Sequence, residues 1–255
     1  RLVCQGMLNA PAPYCVECNS EYHVDNFDLD CPSCGKTLSR RSAKMSKSLG
    51  NTVSPEEMIS RFGADTVRLF ILFGANPEAG MDWSDSALEA NHRQMFSLID
   101  AVDSAVGFAD SPSKVDDWLM SRLRANQKKW IEVMSEVSLR EGVMISHFEM
   151  LSDWNWYLRR GGCDRVTAMS FLEGWIPMLA PATPHIAEEF WNKVGRDDIL
   201  AKFVMPILET DSSDIRVLAL ENYIKEIISS GRNLRTLAER HSDNEITKVV
   251  IQTSP

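Results

Sequence analysis

Lys44-Met45-Ser46-Lys47-Ser48-Leu49-Gly50-Asn51, running at once into Ser54-Pro55-Glu56-Glu57, sets the reading of the whole chain. Two lysines sit three positions apart among small, turn-prone residues. The window from Gly35 to Pro55 holds Lys36, Arg40, Arg41, Lys44 and Lys47 and no acid, so it carries five positive charges in a chain whose formal net charge is −9. Compact ammonium groups on flexible stems suit a phosphate chain whose charge moves during reaction; the alternative is a solvated basic loop. Ser54 as N-cap, Pro55 at the first helical position and Glu57 at N3 form a capping box, and Gly63 stops that helix. A second helix follows, expected to be capped by Asp65 and running through Thr66, Val67, Arg68, Leu69, Phe70, Ile71 and Leu72.

The run K-M-S-K-S-L-G-N-x-V-x-P-E, followed by Gly63-Ala64-Asp65 and Arg68, resembles the signature loop of class I aminoacyl-tRNA synthetases. The resemblance implies that Lys44, Met45, Ser46, Lys47 and Ser48 bind ATP, supplied with Mg, and that Lys44 and Lys47 are catalytic residues acting on its phosphates during amino-acid activation.

Upstream, Cys15-x2-Cys18 and Cys31-x2-Cys34 flank a spacer of residues 19–30. Each C-x-x-C turn presents two sulfurs on one side, and four thiolates complete a tetrahedral zinc site that leaves no open position for catalysis. Gly35 lets the backbone fold under the metal. The spacer fits a small hairpin, with His23 a surface residue rather than a ligand. The alternative is thiols without metal, pairing on oxidation. Cys4 and Cys163 read as buried thiols.

Downstream, apolar residues recur at helical spacing. The expected helices start at Ser84 (Leu88, Met95, Leu98, Ile99, Val102, Val106 inward), continue with Val115, Trp118, Leu119, Leu123, Trp130, Val133, Met134 and Val137, bend near Ser138, and run from Val143 through His147 and Trp154 to Gly161-Gly162. Further helices cover Asp164 to about Leu179 with Val166, Met169, Leu172 and Trp175 inward, Pro184 to near Gly195 with Thr183 as N-cap, and Ile215 to about Arg240 with Leu218, Ile224, Leu234 and Leu237 inward. Lys248–Gln252 reads as a strand. Such helices joined by short breaks predict a mainly α fold, an antiparallel bundle. His185 and Glu188 have no third ligand nearby, so His185 is read as locking a helix start.

With 255 residues and 44% hydrophobic side chains the chain can bury a core. Its pI near 5.1 argues against a nonspecific nucleic-acid coat but leaves room for a local basic patch. No apolar run is long enough for a membrane span. These features predict a soluble, cytoplasmic protein, and the start at Arg1 without Met suggests a piece of a longer one.

Asp82-Trp83-Ser84-Asp85, Asp117–Leu123, Asp153–Arg160 and Leu179–Trp191 resemble the leucyl branch of the class I synthetases in its archaeal or eukaryotic-cytosolic form. Valyl, isoleucyl and methionyl enzymes share the lysine loop and a looser form of the 180–189 helix start, and remain alternatives, as do a stand-alone zinc-ribbon RNA-binding module and a scaffold part of a synthetase assembly. A zinc ribbon directly before the lysine loop departs from the pattern. The resemblance implies a leucine–tRNA ligase with leucine, ATP and tRNA-Leu as partners, acting as a monomer. It implies four segments: a zinc-ribbon-like segment 1–40; the loop and helical end of a Rossmann-type catalytic domain, 41–83; an anticodon-binding bundle, 84–212; and a last long helix opening a further domain, 213–255. No H-x-G-H motif occurs, so the chain alone is expected to be inactive. The bundle is expected to dock the tRNA body through phosphate contacts, with Arg122, Lys128, Arg159, Arg160 and Arg165 as candidates, and Arg124 and Lys129 beside them.

Overall fold

The computed structural model describes residues 6–76, 78–205 and 212–241. Cys4 and the expected strand over Lys248–Gln252 lie outside the described residues. The fold is mostly helical with one small sheet. Strand β1 (Leu8–Cys15) is central: β2 (Ser20–Glu21) and β3 (Ser39–Lys44) pair with it antiparallel, and β4 (Met81–Asp82) runs parallel to it, with Leu8 opposite Met81. Asn9 faces Lys44 across the β1–β3 ladder, so the lysine loop begins where that ladder ends.

Helix α1 (Pro55–Phe62) starts at the expected N-cap, with the Ser54 hydroxyl oxygen accepting from the Glu57 amide at 3.3 Å, but only this half of the expected capping box forms: the acid that Ser54 Oγ meets is Glu56, at 2.9 Å, and Gly63 at φ 81° ends the helix. Helix α2 (Ala64–Gly74) departs from expectation. Asp65 does not cap its own helix; Gly63 holds that position without a side-chain bond. Met58, Val67, Phe70, Met81 and Leu88 form a small core that joins α1, α2, β4 and α3 (Asp85–Val106), and Leu8 and Trp83 pack against it. Ser84 caps α3 as expected, accepting from the Ala87 amide.

The main core gathers Trp118, Trp154, Trp175, Trp191, Tyr157, Phe171 and Phe190, all fully buried. They come from α4 (Asp116–Ser135), α6 (Met150–Arg159), α7 (Arg165–Leu179) and α8 (Pro184–Lys193). The expected bend near Ser138 is present, with Val137 at φ 66°. The helix read as continuous beyond Val143 is not regular. It comprises α5 (Leu139–Val143), a wide π turn (Met144–Glu149) and α6. The Ser146 hydroxyl donates to the Gly142 carbonyl at 2.9 Å, a back-bond that competes with the helical ladder. The π turn carries His147 inward, between Ser146 Oγ at 2.8 Å and Thr183 Oγ1 at 2.9 Å. Burial pushes the His147 imidazole down to about 3, against a weaker opposing bond from the Val143 backbone, so it stays neutral.

Helix α9 (Ser212–His241) lies along α4. Polar clamps hold it. Arg124 and Ser121 bind Asp214 (Arg124 Nε at 2.9 Å), and Glu221 Oε1 accepts from Trp156 Nε1 at 2.8 Å and Arg160 Nε at 2.7 Å. Four residues read as inward point to solvent instead: Val106, Val166, Leu234 and Leu237. Helical spacing fixes a face but not how far a neighbouring helix covers it. No helix of the described residues is long and apolar enough to cross a membrane.

Candidate functional site

The loop after β3 has little regular structure, and one buried side chain organises it. Asn51, 7% exposed, accepts from the Ser46 amide at 2.9 Å. Its Nδ2 donates to the carbonyls of Ala10 at 3.3 Å, Ala43 at 3.5 Å and Lys44 at 3.5 Å. Ser46 Oγ accepts from the Leu49 amide at 3.3 Å and shares a bond with Ser48 Oγ at 3.2 Å. Gly50, at φ 69°, turns the chain, in a conformation that favours a residue without Cβ.

Of the five cations in this window, Arg40 lies over the Phe27 ring at 4.5 Å and near Asp28, and Arg41 lies over the Tyr14 ring at 4.6 Å. Lys44 and Lys47 are exposed, and neither has a carboxylate within ion-pair distance among the described residues. Two free ammonium groups on a pinned but irregular loop are available to an anion.

Behind the loop, α2 grips the corner that opens α8. Asp65, 8% exposed, accepts from the Ile186 amide at 2.8 Å and from His185 Nδ1 at 2.8 Å. Arg68 Nε donates to the Ala182 carbonyl at 2.9 Å and its Nη2 to the Pro181 carbonyl at 3.0 Å. Asp65 thus caps α8 from another helix. Thr183 holds the N-cap position but makes no capping bond; its hydroxyl binds His147 and the Leu179 carbonyl. The expectation that His185 locks this helix start is borne out. Glu188 accepts from the Leu200 amide at 3.1 Å. Sequence spacing alone could not pair Asp65 with Ile186, since they lie 121 residues apart.

The four cysteines come together. Cys15, Cys18, Cys31 and Cys34 place their sulfurs within 4.8 Å of one another, with Cys15–Cys34 at 3.5 Å and Cys18–Cys31 at 3.8 Å. Zinc–thiolate bonds of about 2.3 Å put the sulfur–sulfur edge of a tetrahedron at about 3.8 Å, so the donor set fits one such cation. The Cys18 amide points at Cys15 Sγ at 3.4 Å, and Gly35 at φ 70° returns its amide to the Cys31 carbonyl at 2.8 Å. The clustered thiols resist ionising together. Hydrogen bonding to Cys34, helped by burial and by Cys15 and Cys31, pushes Cys18 up to about 12. Burial also pushes Cys31 up, but hydrogen bonds from Tyr22 and from the Ser33 and Cys34 amides outweigh it and bring it down to about 6. A bound cation would remove this mutual penalty. The spacer is not the expected hairpin. It consists of the two-residue β2 and a 3-10 turn over Val24–Asn26, because β2 pairs with β1 rather than within the spacer. Cys163 is exposed, contrary to expectation.

The basic residues of the bundle divide into two sets. Arg122 and Arg160 are consumed by buried acids, Asp153 at 2.7 Å and Glu221 at 2.7 Å, and Arg124 by Asp214. Lys129 pairs with Glu141 at 3.3 Å. Lys128, Arg159 and Arg165 are exposed, with Arg159 at 5.6 Å from the centre of the Trp156 ring.

Residues 116–251 match the family model described as the anticodon-binding domain of tRNA ligase, and residues 34–84 match that of class I tRNA synthetases (I, L, M and V). The chain is 30% identical to a leucine–tRNA ligase of Archaeoglobus fulgidus over 201 residues, covering 78% of this chain and 21% of that protein. It is 33% identical to one of Thioalkalivibrio sulfidiphilus over 187 residues, covering 69% and 23%. The chain therefore spans about a fifth of the length of these relatives. A solved LeuRS–tRNA–LeuAMS ternary complex from Agrobacterium radiobacter shares the fold, with a TM-score of 0.55 at 24% identity over 69% of this chain and 23% of that one. The anticodon-binding model alone takes in more than half of the chain, and the chain, with a stretch of the class I tRNA synthetase type on its N-terminal side, belongs to the anticodon-binding domain family of tRNA ligases.

Proposed function

We propose that the chain serves the ATP-dependent activation of leucine and its transfer to tRNA-Leu, as the part of a leucine–tRNA ligase that carries the phosphate-binding loop and docks the tRNA. One observation carries the catalytic half of this reading: Lys44 and Lys47 are exposed and without acidic partners among the described residues, on a loop pinned from below by Asn51. Lys44 and Lys47 are the catalytic residues. Met45, Ser46 and Ser48 complete the ATP contacts, with Mg accompanying the nucleotide. As pyrophosphate leaves, negative charge grows on the phosphates, and ammonium groups that close late stabilise that state more than bound ATP. Asn51 keeps the Ser46 amide and the Lys44 carbonyl tied, so the loop swings on a fixed base.

The leucine-specific part rests on the similarity to the leucine–tRNA ligases named above. Structural zinc is held by Cys15, Cys18, Cys31 and Cys34. The proposed segments are a zinc ribbon over 1–40, the loop and helical end of a Rossmann-type catalytic domain over 41–83, an antiparallel anticodon-binding bundle over 84–212 and the start of a further domain over 213–255, in a cytoplasmic monomer. Lys128, Arg159 and Arg165 meet tRNA phosphates directly. Arg122 and Arg160 belong to the same surface, with their charge shared with Asp153 and Glu221.

The test is pre-steady-state formation of leucyl-adenylate in the full-length enzyme, with ATP affinity determined separately, for Lys44→Ala and Lys47→Ala. A chemical step within about threefold of wild type would remove the catalytic role. A fall in ATP affinity alone would make the loop a uniform binder. For the chain by itself, leucine-dependent pyrophosphate exchange is expected at background.

A further inference from the structure

The cysteine unit and the lysine loop touch. Residues 16–38 leave β1 and return to β3, and their tip folds back over the loop that follows. The Val24 amide donates to the Leu49 carbonyl at 2.9 Å. The His23 ring lies flush on Gly50, where an added Cβ would sit 2.4 Å from its Nε2. His23 is oriented in turn by the Asp25 amide, which donates to its Nδ1 at 3.3 Å. Tyr22 ties this tip to the thiols: its amide donates to the Pro13 carbonyl at 2.9 Å and its hydroxyl bonds Ser33 Oγ at 3.0 Å and Cys31 Sγ at 3.2 Å.

The unit has almost no apolar core of its own. Between residues 16 and 38 only Cys31 is buried. A segment of this size without a core needs a cross-link to hold its shape, and four thiolates on one cation supply it. Whatever holds the thiols together therefore also holds His23 and Val24 in place.

We propose that the His23–Val24 tip is a clamp on the lysine loop, so that metal occupancy of the four cysteines sets how ordered the Lys44–Asn51 loop is. His23 and Val24 are positioning residues: they touch Leu49 and Gly50, not the phosphates. Metal loss frees the loop while leaving Asn51 and the helical core intact. The consequence for catalysis rests on the phosphate-binding reading above; the coupling itself does not.

The experiment is amide hydrogen exchange on this 255-residue chain, purified under reducing conditions, with and without a zinc chelator, alongside a zinc-loaded His23→Gly variant. Chelation is expected to speed exchange at Val24, Leu49 and Gly50 by at least about tenfold while Ser46, held by Asn51, and α4 and α7 keep their protection. His23→Gly is expected to do the same with the metal still bound, which separates the clamp from unfolding of the cysteine unit. Unchanged loop exchange in both overturns the proposal, and so does faster loop exchange that appears only with loss of protection throughout α4 and α7. If the coupling is found but Lys47→Ala leaves adenylate formation unchanged, the phosphate-binding reading fails and the clamp stands. The reverse pattern removes the clamp alone.

Discussion

The lysine loop and the joint between α2 and α8 are each held by a few polar groups, but in opposite ways. In the loop a single buried amide makes several long bonds of 3.3–3.5 Å to carbonyls, and both lysines face solvent. At the joint, a buried carboxylate and a guanidinium make four short bonds of 2.8–3.0 Å to one corner of chain. Charge-assisted bonds away from water are stiffer than neutral ones at a surface. On the phosphate-binding reading proposed above, the contrast puts the weaker tether at the reacting charge and the stronger one at α2. The small core of Met58, Val67, Phe70, Met81 and Leu88 lies between α1, α2 and α3.

The sharpest way to break this contrast is to treat both regions alike. Lys47→Ala removes a donor to a developing charge. It should raise the barrier to adenylate formation in the full-length enzyme by about 2–4 kcal/mol, a rate loss of roughly 30- to 1,000-fold, while the melting temperature stays unchanged. Lys47→Arg should not restore the rate, because a planar fork does not replace a compact ammonium. A fall in melting temperature would mean that the loop is structural after all.

Asp65→Ala should do the reverse. It leaves the Ile186 amide and His185 Nδ1 without their shared acceptor, a loss of about 2–3 kcal/mol for charge-assisted bonds to a buried carboxylate, measured by urea denaturation of this chain. Asp65→Asn should recover part of it by still accepting from Ile186. A cost under about 0.5 kcal/mol for the Ala variant would show that the joint is solvated and that the contrast is false.

A third measurement sharpens the rigid side. Folded His147 is neutral down to about 3, whereas the unfolded imidazole titrates at its ordinary 6.5. Between those values the unfolded chain holds the extra proton, so stability is full above 6.5 and is lost as pH falls through the window, at about 1.4 kcal/mol per pH unit. His147→Gln should flatten the stability profile between pH 6.5 and 4 relative to wild type. An unchanged slope would place the titration elsewhere.

The smallest effect separates the two kinds of bundle cation. Lys128→Ala should weaken tRNA binding only about two- to threefold and lower the salt dependence by roughly one counterion, with stability unaffected. Arg160→Ala should instead destabilise the chain by uncovering Glu221, which Trp156 also binds.

Much of this was legible in the residues. Ser54, Pro55 and Gly63 marked α1, and Ser84 marked α3. These are local events, decided within one turn of backbone. The four-cysteine cluster was legible for a related reason: C-x-x-C turns have one economical geometry, and two of them converge. Val166 and Leu234 were misread because an apolar stripe gives the direction of a face and not the extent of its cover.

By itself, then, the sequence determined the starts of α1 and α3, the stop at Gly63, the thiol cluster and the charge of the lysine window, because each depends on residues a few positions apart. Tertiary structure alone decided that Asp65 caps a helix 121 residues away, that Arg160 is spent on Glu221 while Lys128 meets no acid among the described residues, that a π turn brings His147 to Thr183, and that His23 rests on Gly50. The reason is the same in each case. A carboxylate, guanidinium or imidazole carries no mark of its partner; which one it finds is settled only when packing removes water and leaves a single group within reach.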